Sequence, residues 1–324
     1  MSQQTVLYDV PGPRQRRITL VSSLVATVLL LVGAYFLIYR PLSDKGQFSM
    51  ELWGPLIDPA NENFSLVWDR IGLGLKNTLI AAVLAIISSL VIGTLLAVLR
   101  IQLKSLARRR FTGFATPVSY LLRGLSVVLS GVTRVCVEVF RGLPVVITIF
   151  FVARGFPEFG VTFETLWYLV IGLTIYNSVV IAEILRSGME GLPGGQGEAA
   201  AAIGLSPLQT TRMILLPQAF RIMLPALISQ LVVVLKDTSL GFIISYEETL
   251  NIGKQIIGVL GNPIQVYVVI AVLFIAVNYS LSKLAQYVQR RLSRGRKTAG
   301  TAGQNPPPAA LMSQAEGGGM GGGV

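Results

Sequence analysis

Residues 198–217 read EAAAAIGLSPLQTTRMILLP, and this stretch decides how the whole chain is interpreted. Glu198 follows a glycine-rich approach and falls near the positive end of a short alanine helix, which suits a carboxylate. Gly204 can adopt the left-handed conformation that ends such a helix, and Ser206 with Gln209 has the spacing of a capping box for a second helix. The pattern predicts a helix, a sharp turn and another helix, which we name the elbow (Glu198–Pro217).

The proline at the end of the elbow predicts a helix boundary. Pro217 has no backbone N–H, so we expect it to separate the second helix from the next apolar run and to leave the elbow projecting from its neighbours. A small, convex, alanine-faced projection suits a groove on another protein. The alternative is an ordinary amphipathic loop between two apolar helices.

The composition predicts a membrane protein. Apolar residues make up 52% of the 324 residues and charged residues only 13%, which is unlike a soluble domain. The chain has no histidine and a single cysteine, Cys136, so zinc sites, other metal sites, disulfides and histidine-based acid/base chemistry are not expected. The net charge of +11 could indicate nucleic-acid binding, but the basic residues flank apolar segments, where they orient membrane spans instead.

Six apolar segments reach the roughly 20 residues that a membrane-spanning helix needs. They cover residues 18–39, 75–99, 126–152, 166–185, 222–244 and 265–284. The first follows three arginines like a signal peptide, but it is too long and ends at Arg40-Pro41 without a small-residue cleavage site, so we expect it to remain as an anchor. The predicted fold is all-α and polytopic, with six transmembrane helices.

Charge asymmetry predicts the orientation of these spans, because basic residues favour the cytoplasmic side. One side of the arrangement carries Arg14, Arg16, Arg17, Arg100, Lys104, Arg108, Arg109, Arg110, Arg123, Arg186, Arg212, Arg221 and the basic run 283–297. The other side carries Asp44, Glu51, Asp58, Glu62, Asp69, Glu158, Glu164, Glu247 and Glu248. Both termini and the elbow are therefore predicted to be cytoplasmic. Residues 101–123 are expected to lie on the acidic inner leaflet, and the Gly/Ala/Pro-rich tail is expected to be disordered.

The elbow resembles the cytoplasmic docking loop of bacterial ABC importers, which has Glu-Ala-Ala, three residues, Gly, nine residues and Ile-x-Leu-Pro. Other motifs resemble the polar amino acid uptake permeases of that class: Tyr8-Asp9, Pro11-Gly12-Pro13, VEVFRGLP (residues 137–144), IAEILRSGMEGLPGGQGEAA (181–200) and KDTSL (236–240). The N-terminal VLYDVPGPR and the extra first span are most similar to the actinobacterial glutamate-type branch. Cys136, Val179-Val180 and the long basic insert depart from the family pattern.

The resemblance implies a domain organisation. It comprises a cytoplasmic N-terminus (1–17), an anchor (18–39), an external loop (40–71), a five-helix permease domain (72–284) with its docking loop (186–219), and a cytoplasmic tail (285–324). It also implies that coupling to the ATPase depends on Glu198, Ala199, Ala200, Gly204, Ile214, Leu216 and Pro217.

The partners follow from the same resemblance. They are two ABC ATPase subunits that bind ATP and Mg, a second permease subunit, an extracellular solute-binding protein and membrane lipid, with no nucleic acid. The chain itself would be a plasma-membrane permease without enzymatic activity or a bound cofactor. Its solute would be a polar amino acid, with glutamate or another acidic amino acid favoured over glutamine or a basic one.

Charged residues inside apolar segments are candidates for a solute pathway, because a charge in hydrocarbon is costly unless it is paired or hydrated. Arg134, Glu138 and Arg141 recur on one helix face, and Gly142 with Pro144 is expected to interrupt that helix, as in transporter binding sites. The candidate pathway residues are Glu138, Arg141, Tyr176, Asn177, Glu183, Lys236 and Asp237. The alternatives are that the arginines snorkel to the surface and that the charged pairs only hold the bundle together.

No nucleotide site is expected in the chain. Its Gly253-Lys254 pair is followed by Gln255 and lacks the glycine that a P-loop needs at Glu248. Two other functions remain open from the sequence: an ATP-independent secondary transporter or channel, and a membrane scaffold that only recruits an ATPase.

Overall fold

The computed structural model describes residues 12–108 and 116–294. These residues form helices and short connections, with no strand in either range. The α-helices are α1 (Pro13–Ala34), α2 (Arg40–Asp44), α3 (Met50–Ile57), α4 (Phe64–Arg108), α5 (Thr116–Gly142), α6 (Val145–Glu158), α7 (Thr165–Glu190), α8 (Gly195–Ala202), α9 (Pro207–Thr210), α10 (Leu216–Asp237), α11 (Thr249–Leu260) and α12 (Pro263–Arg294). Tyr35–Tyr39 and Thr211–Leu215 are π-helical, and Thr238–Ile244 is a 3₁₀-helix.

Six helical stretches in the described residues are long and apolar enough to cross a membrane. They are Pro13–Asp44, Phe64–Ala107, Tyr120–Gly142, Thr165–Glu190, Pro207–Ile244 and Pro263–Arg291. The predicted all-α fold with six apolar helices is confirmed, whereas the orientation of the termini stays a prediction. The motif residues before residue 12 and the predicted disordered tail lie outside the described residues.

Several helices extend beyond the predicted spans. α4 has 45 residues, which corresponds to about 67 Å at 1.5 Å per residue and exceeds the roughly 30 Å of bilayer hydrocarbon. Residues 101–108 continue α4 and residues 116–123 begin α5, so these parts of the basic stretch 101–123 extend two long helices and do not form a separate surface element. Residues 40–71, assigned to an external loop, contain α2, α3 and the start of α4.

The third span is interrupted where the sequence predicted it. α5 ends at Gly142 and α6 begins at Val145, with Pro144 between them at φ −59° and ψ 136°. The helix cannot continue through Pro144 for two reasons. Its backbone is extended, and proline lacks the N–H that would bond to the preceding turn. The helix of the third span is therefore interrupted shortly after Arg141.

The expected break at Pro217 does not occur. Helix α9, the π segment Thr211–Leu215 and α10 follow one another without a gap, and Pro217 lies at the start of α10. The backbone N–H of Leu216 donates to the carbonyl of Thr211, five residues back. This shift of hydrogen-bond register immediately before Pro217 accommodates a residue that has no N–H, so the second half of the elbow is continuous with the fifth span.

The chain divides into two compact units. The first comprises Met1–Thr78 and Glu247–Leu273. Within it no residue of α1 is buried. The amides of Asn262 and Gln265 donate to the carbonyl oxygens of Leu52 (2.9 Å) and Gln47 (2.7 Å), and so attach the start of α12 to the residues around α3.

The second unit comprises Leu79–Tyr246 and Phe274–Val324. Its core has two clusters. One includes Ile149, Leu169, Leu173 and Val234, and the other consists of Ala97, Ile181, Ala182, Leu185, Met189, Ala219 and Leu227. A Cβ on Gly93 would lie 2.8 Å from the carbonyl oxygen of Ser178, so only glycine allows α4 and α7 to approach this closely. This approach brings the charged residues near the C-terminal ends of α4 and α7 together.

Candidate functional site

The elbow has the turn that its sequence predicted. Helix α8 ends at Ala202, and Gly204, two residues later, has φ +80°. The N–H of Leu205 donates to the carbonyl of Ala200, and the N–H of Gly204 donates to that of Ala201, both at 3.0 Å. These two bonds form a Schellman motif, which requires the left-handed conformation that glycine adopts without strain.

A capping box starts the second helix of the elbow. The N–H of Ser206 donates to Oε1 of Gln209 at 2.8 Å, and the N–H of Gln209 donates to Oγ of Ser206. Pro207 occupies the first turn of α9, where its missing N–H costs nothing. The direction of the chain is therefore fixed at both sides of the turn by bonds between residues at most five apart.

The elbow presents an outer side with apolar residues. Glu198, Ala199 and Pro217 are exposed, and the side chains of Ile203 and Leu208 are 75% and 53% exposed. Gly204 is also exposed, whereas Ala200 is buried and Ile214 and Leu216 are half-buried. Leu216 packs against the core cluster that contains Ala97 and Leu185.

A charged cleft of about 480 Å³ lies between α4, α5 and α7 in the second unit. It is lined by Arg100, Lys104, Ser130, Thr133, Arg134, Val137, Glu138, Arg141, Glu183, Arg186 and Glu190. Five basic side chains face three carboxylates, which leaves a formal charge of +2. The cleft therefore favours an anion or a solute that carries carboxylate groups.

Glu183 is the centre of this cleft. Its carboxylate is 16% exposed and lies 2.8 Å from Nη2 of Arg186 and 3.9 Å from Nη1 of Arg141. It also contacts Arg100, which is 14% exposed. Three guanidinium groups from three helices thus converge on one nearly buried carboxylate, which compensates for the cost of removing that charge from water.

Further ion pairs complete the cleft. Glu190 accepts from Nζ of Lys104 at 2.7 Å and from Nη1 of Arg186 at 2.6 Å, so it joins α4 to α7. Nε of Arg134 donates to Oε1 of Glu138 at 2.9 Å. Both members of that pair are mostly exposed, and such pairs contribute about 0–1 kcal/mol.

The sequence-predicted pathway residues are only partly brought together. Glu138, Arg141 and Glu183 line the cleft, whereas Tyr176, Asn177, Lys236 and Asp237 do not. Asn177 is fully buried; its amide donates to the carbonyl of Leu173, and its Oδ1 accepts from Gln230 at 2.7 Å. That geometry suits packing of α7 against α10. The role of these seven residues in transport stays a prediction.

Sequence reasoning did not place Arg100, Lys104 or Glu190 in the cleft. The first two indicated only the orientation of a span, and the helical spacing of Glu190 with Glu183 and Arg186 on α7 was not used. A signal exists for the α5 side. Ser130, Thr133, Arg134, Val137, Glu138 and Arg141 recur at helical spacing and line the cleft, while Val128, Val132, Val135 and Val139 on the opposite side are exposed. A membrane helix with its polar side inward indicates a hydrated interior.

Comparison with known proteins gives a consistent result. Residues 115–294 match the family described as binding-protein-dependent transport system inner membrane component. The glutamate transport system permease protein GluD of Corynebacterium glutamicum is 39% identical over 259 residues, which cover 79% of this chain and 85% of that protein. The probable glutamine ABC transporter permease protein GlnP of Bacillus subtilis is 38% identical over 167 residues, which cover 51% of this chain and 77% of that protein.

A solved structure supports the fold. A chain of a crystal structure of an amino acid ABC transporter with histidines superposes with a TM-score of 0.55 and 24% sequence identity, over 72% of this chain and 99% of that chain. At this level of identity the likeness concerns the arrangement of helices only.

Proposed function

We propose that this chain, which belongs to the family of binding-protein-dependent transport system inner membrane components, imports an acidic amino acid, with glutamate favoured. It is a multi-pass membrane permease of an ABC importer. The positive excess in the cleft supports this solute, because a second carboxylate distinguishes glutamate from glutamine. The name of the Corynebacterium relative agrees with it. ATP and Mg bind to separate ATPase subunits.

The exposed elbow carries the proposed coupling role. Its outer side presents Glu198, Ile203 and Leu208 on a backbone fixed by the Schellman motif and the capping box. A rigid projection with exposed apolar side chains fits the groove of a partner protein. We place the elbow and both termini in the cytoplasm, where two ATPase subunits would bind it; a second permease and an external solute-binding protein complete the proposed assembly.

An uptake assay tests the solute. The chain, its ATPase and its binding protein are reconstituted in proteoliposomes, and labelled glutamate, aspartate, glutamine and arginine are compared with and without ATP. We expect ATP-dependent uptake of the two acidic amino acids to exceed that of glutamine and arginine by at least about tenfold. Uptake that persists without ATP and collapses with the ion gradient would instead identify a secondary transporter.

The coupling role is tested with Gly204→Pro. Proline cannot adopt the positive φ of Gly204, and it has no N–H to donate to the carbonyl of Ala201. We expect the ATPase no longer to copurify with the variant, or solute no longer to stimulate ATP hydrolysis. Gly197→Ala is the control, since Gly197 lies in α8 with open space at its Cβ. Copurification of the ATPase with the wild-type chain but no uptake of any solute would favour a scaffold.

Orientation is tested by cysteine labelling in a Cys136→Ser background. Ile203→Cys in the elbow and Phe48→Cys before α3 replace two exposed apolar side chains. A membrane-impermeant thiol reagent added to whole cells should label the second position and spare the first. Labelling at position 203 would contradict the cytoplasmic elbow.

A further inference from the structure

Gln102, near the end of α4, contacts the elbow directly. Its Nε2 donates to Oγ1 of Thr211 at 2.8 Å and to the carbonyl oxygen of Pro207 at 3.3 Å. The Thr211 hydroxyl itself donates to the same carbonyl at 2.9 Å, and Thr211 is 2% exposed. The amide therefore belongs to a small, closed hydrogen-bond network that joins the second span to the elbow.

The site of this contact is the place where the helix changes register. Pro207 starts α9 and Thr211 starts the π segment, in which backbone bonds run five residues back. A π turn inserts a residue into the helix and is frequent at functional sites, because it is a local defect that can shift. Gln102 thus holds the part of the elbow that is most able to change its hydrogen bonding.

A second amide holds the other half of the elbow. Nε2 of Gln218 on α10 donates to Oε1 of Gln196 on α8 and to the carbonyl of Ile214 at 3.0 Å. α8 is thereby attached to the fifth span, while the α9 junction is attached to the second span. Each helix of the elbow thus has a half-buried glutamine contact to another helix, α9 to α4 and α8 to α10, in addition to the continuity of α9 with the fifth span.

We propose that Gln102 and Gln218 are positioning residues that transmit movement of the elbow to the second and fifth membrane spans. This inference rests on the proposed coupling role of the elbow. Neither residue belongs to the motif that identifies the elbow or to the lining of the cleft. Directional amide bonds suit this role better than apolar contacts do, because they fix orientation and break as a unit when the geometry changes.

Gln102→Leu tests the inference, since leucine has a similar size but no donor. In the reconstituted transporter we expect normal copurification of the ATPase, and about threefold to tenfold less solute imported per ATP hydrolysed, the effect of about one buried hydrogen bond. A purely structural residue would lower uptake and hydrolysis together and leave their ratio unchanged. Gln255→Leu is the matched control, because Gln255 is exposed on α11.

The acceptor side provides a second test should Gln102→Leu fail to fold. Thr211→Ser keeps the hydroxyl and should retain the wild-type ratio, whereas Thr211→Val removes it and should reproduce the loss. The loss in the double variant Gln102→Leu/Thr211→Val should be smaller than the sum of the two single losses, because both substitutions remove the bond between Gln102 and Thr211. Full additivity, or an unchanged ratio in Thr211→Val, would overturn the inference.

The same experiment separates this inference from the proposed function. If the wild-type chain shows ATP-dependent uptake and Gly204→Pro loses it, the coupling role of the elbow stands. In that case, an unchanged ratio of solute imported to ATP hydrolysed in the glutamine variants overturns only the proposed role of Gln102 and Gln218. If the wild-type chain imports nothing in the presence of its ATPase, the proposed function itself fails. Gln218→Leu should lower the amount of solute imported per ATP hydrolysed to the same extent as Gln102→Leu.

Discussion

The elbow and the charged cleft both depend on a few polar residues, but these residues are distributed very differently along the chain. Every backbone bond that shapes the elbow joins residues at most five apart, such as Leu205 to Ala200. The cleft brings Arg100, Arg141 and Glu183 together from three helices. A local structure should tolerate changes in packing, whereas a structure assembled from distant parts should lose several partners when one is removed.

The largest effect is expected at the centre of the cleft. Glu183→Gln removes the carboxylate that balances three guanidinium groups, and breaking a buried ion pair of this kind costs about 3–5 kcal/mol. We expect uptake to be abolished while the complex still assembles, as measured by transport and by size-exclusion chromatography. Glu158→Gln, at an exposed position on α6, is the control. Normal transport by Glu183→Gln would remove this residue from the pathway.

A pair of arginine variants separates transport from stability within the cleft. Arg100 is 14% exposed and Arg141 is 51% exposed, and the second lies 3.9 Å from Glu183. Arg100→Ala should lower the free energy of unfolding by several kcal/mol, while Arg141→Ala should change it by about 1 kcal/mol or less and still abolish uptake. Thermal unfolding and transport measured on both variants check this. Equal loss of stability in both would favour a purely structural cluster.

A matched glycine pair tests how local the elbow is. A Cβ added to either Gly197 or Gly204 would meet open space, but only Gly204 has positive φ. Gly204→Ala should destabilise the turn by about 1–2 kcal/mol and weaken stimulation of the ATPase by solute, whereas Gly197→Ala should be neutral or slightly stabilising. Each glycine substitution should change the free energy of unfolding by the same amount in the wild-type chain and in Arg100→Ala, so this additivity is the decisive measurement.

The smallest effect on transport is expected at a buried carboxylate that lies outside the cleft and has no guanidinium partner among the described residues. Glu248 caps α11 and accepts the N–H groups of Leu250 and Asn251 at 2.7 Å. Burial raises its pKa to about 7, although these two bonds act in the opposite direction. The folded chain therefore retains a proton that the unfolded chain releases near pH 4.5.

This carboxyl group should thus stabilise the fold below pH 4.5 and lose that contribution as the pH rises through 7. Glu248→Gln should flatten this part of the pH profile of thermal unfolding relative to the wild-type chain. An identical profile in the variant would show that another group titrates there. Glu183 is paired with cations, whereas Glu248 accepts backbone N–H groups. Comparing the two variants would show how the type of partner affects the stability that a buried glutamate contributes.

Much of the elbow could be predicted from consecutive residues. The positive φ of Gly204 and the Ser206–Gln209 capping box follow from rules that act over three to five positions. The expectation at Pro217 was wrong because the π segment before it shifts the register, and propensity rules do not anticipate such a defect. The contacts of Gln102 could not be foreseen, since they join residues more than a hundred positions apart.

The six apolar helices, the interruption at Pro144 and the turn at Gly204 could be predicted from the order of the residues, because hydrophobic length, proline geometry and glycine freedom act locally along the backbone. Which charges meet depends instead on how the helices pack. Arg100 and Glu190 looked like ordinary charged residues at helix ends until the close approach of α4 and α7 brought them into one cleft. Charge neutralisation depends on distance in space, and packing sets that distance.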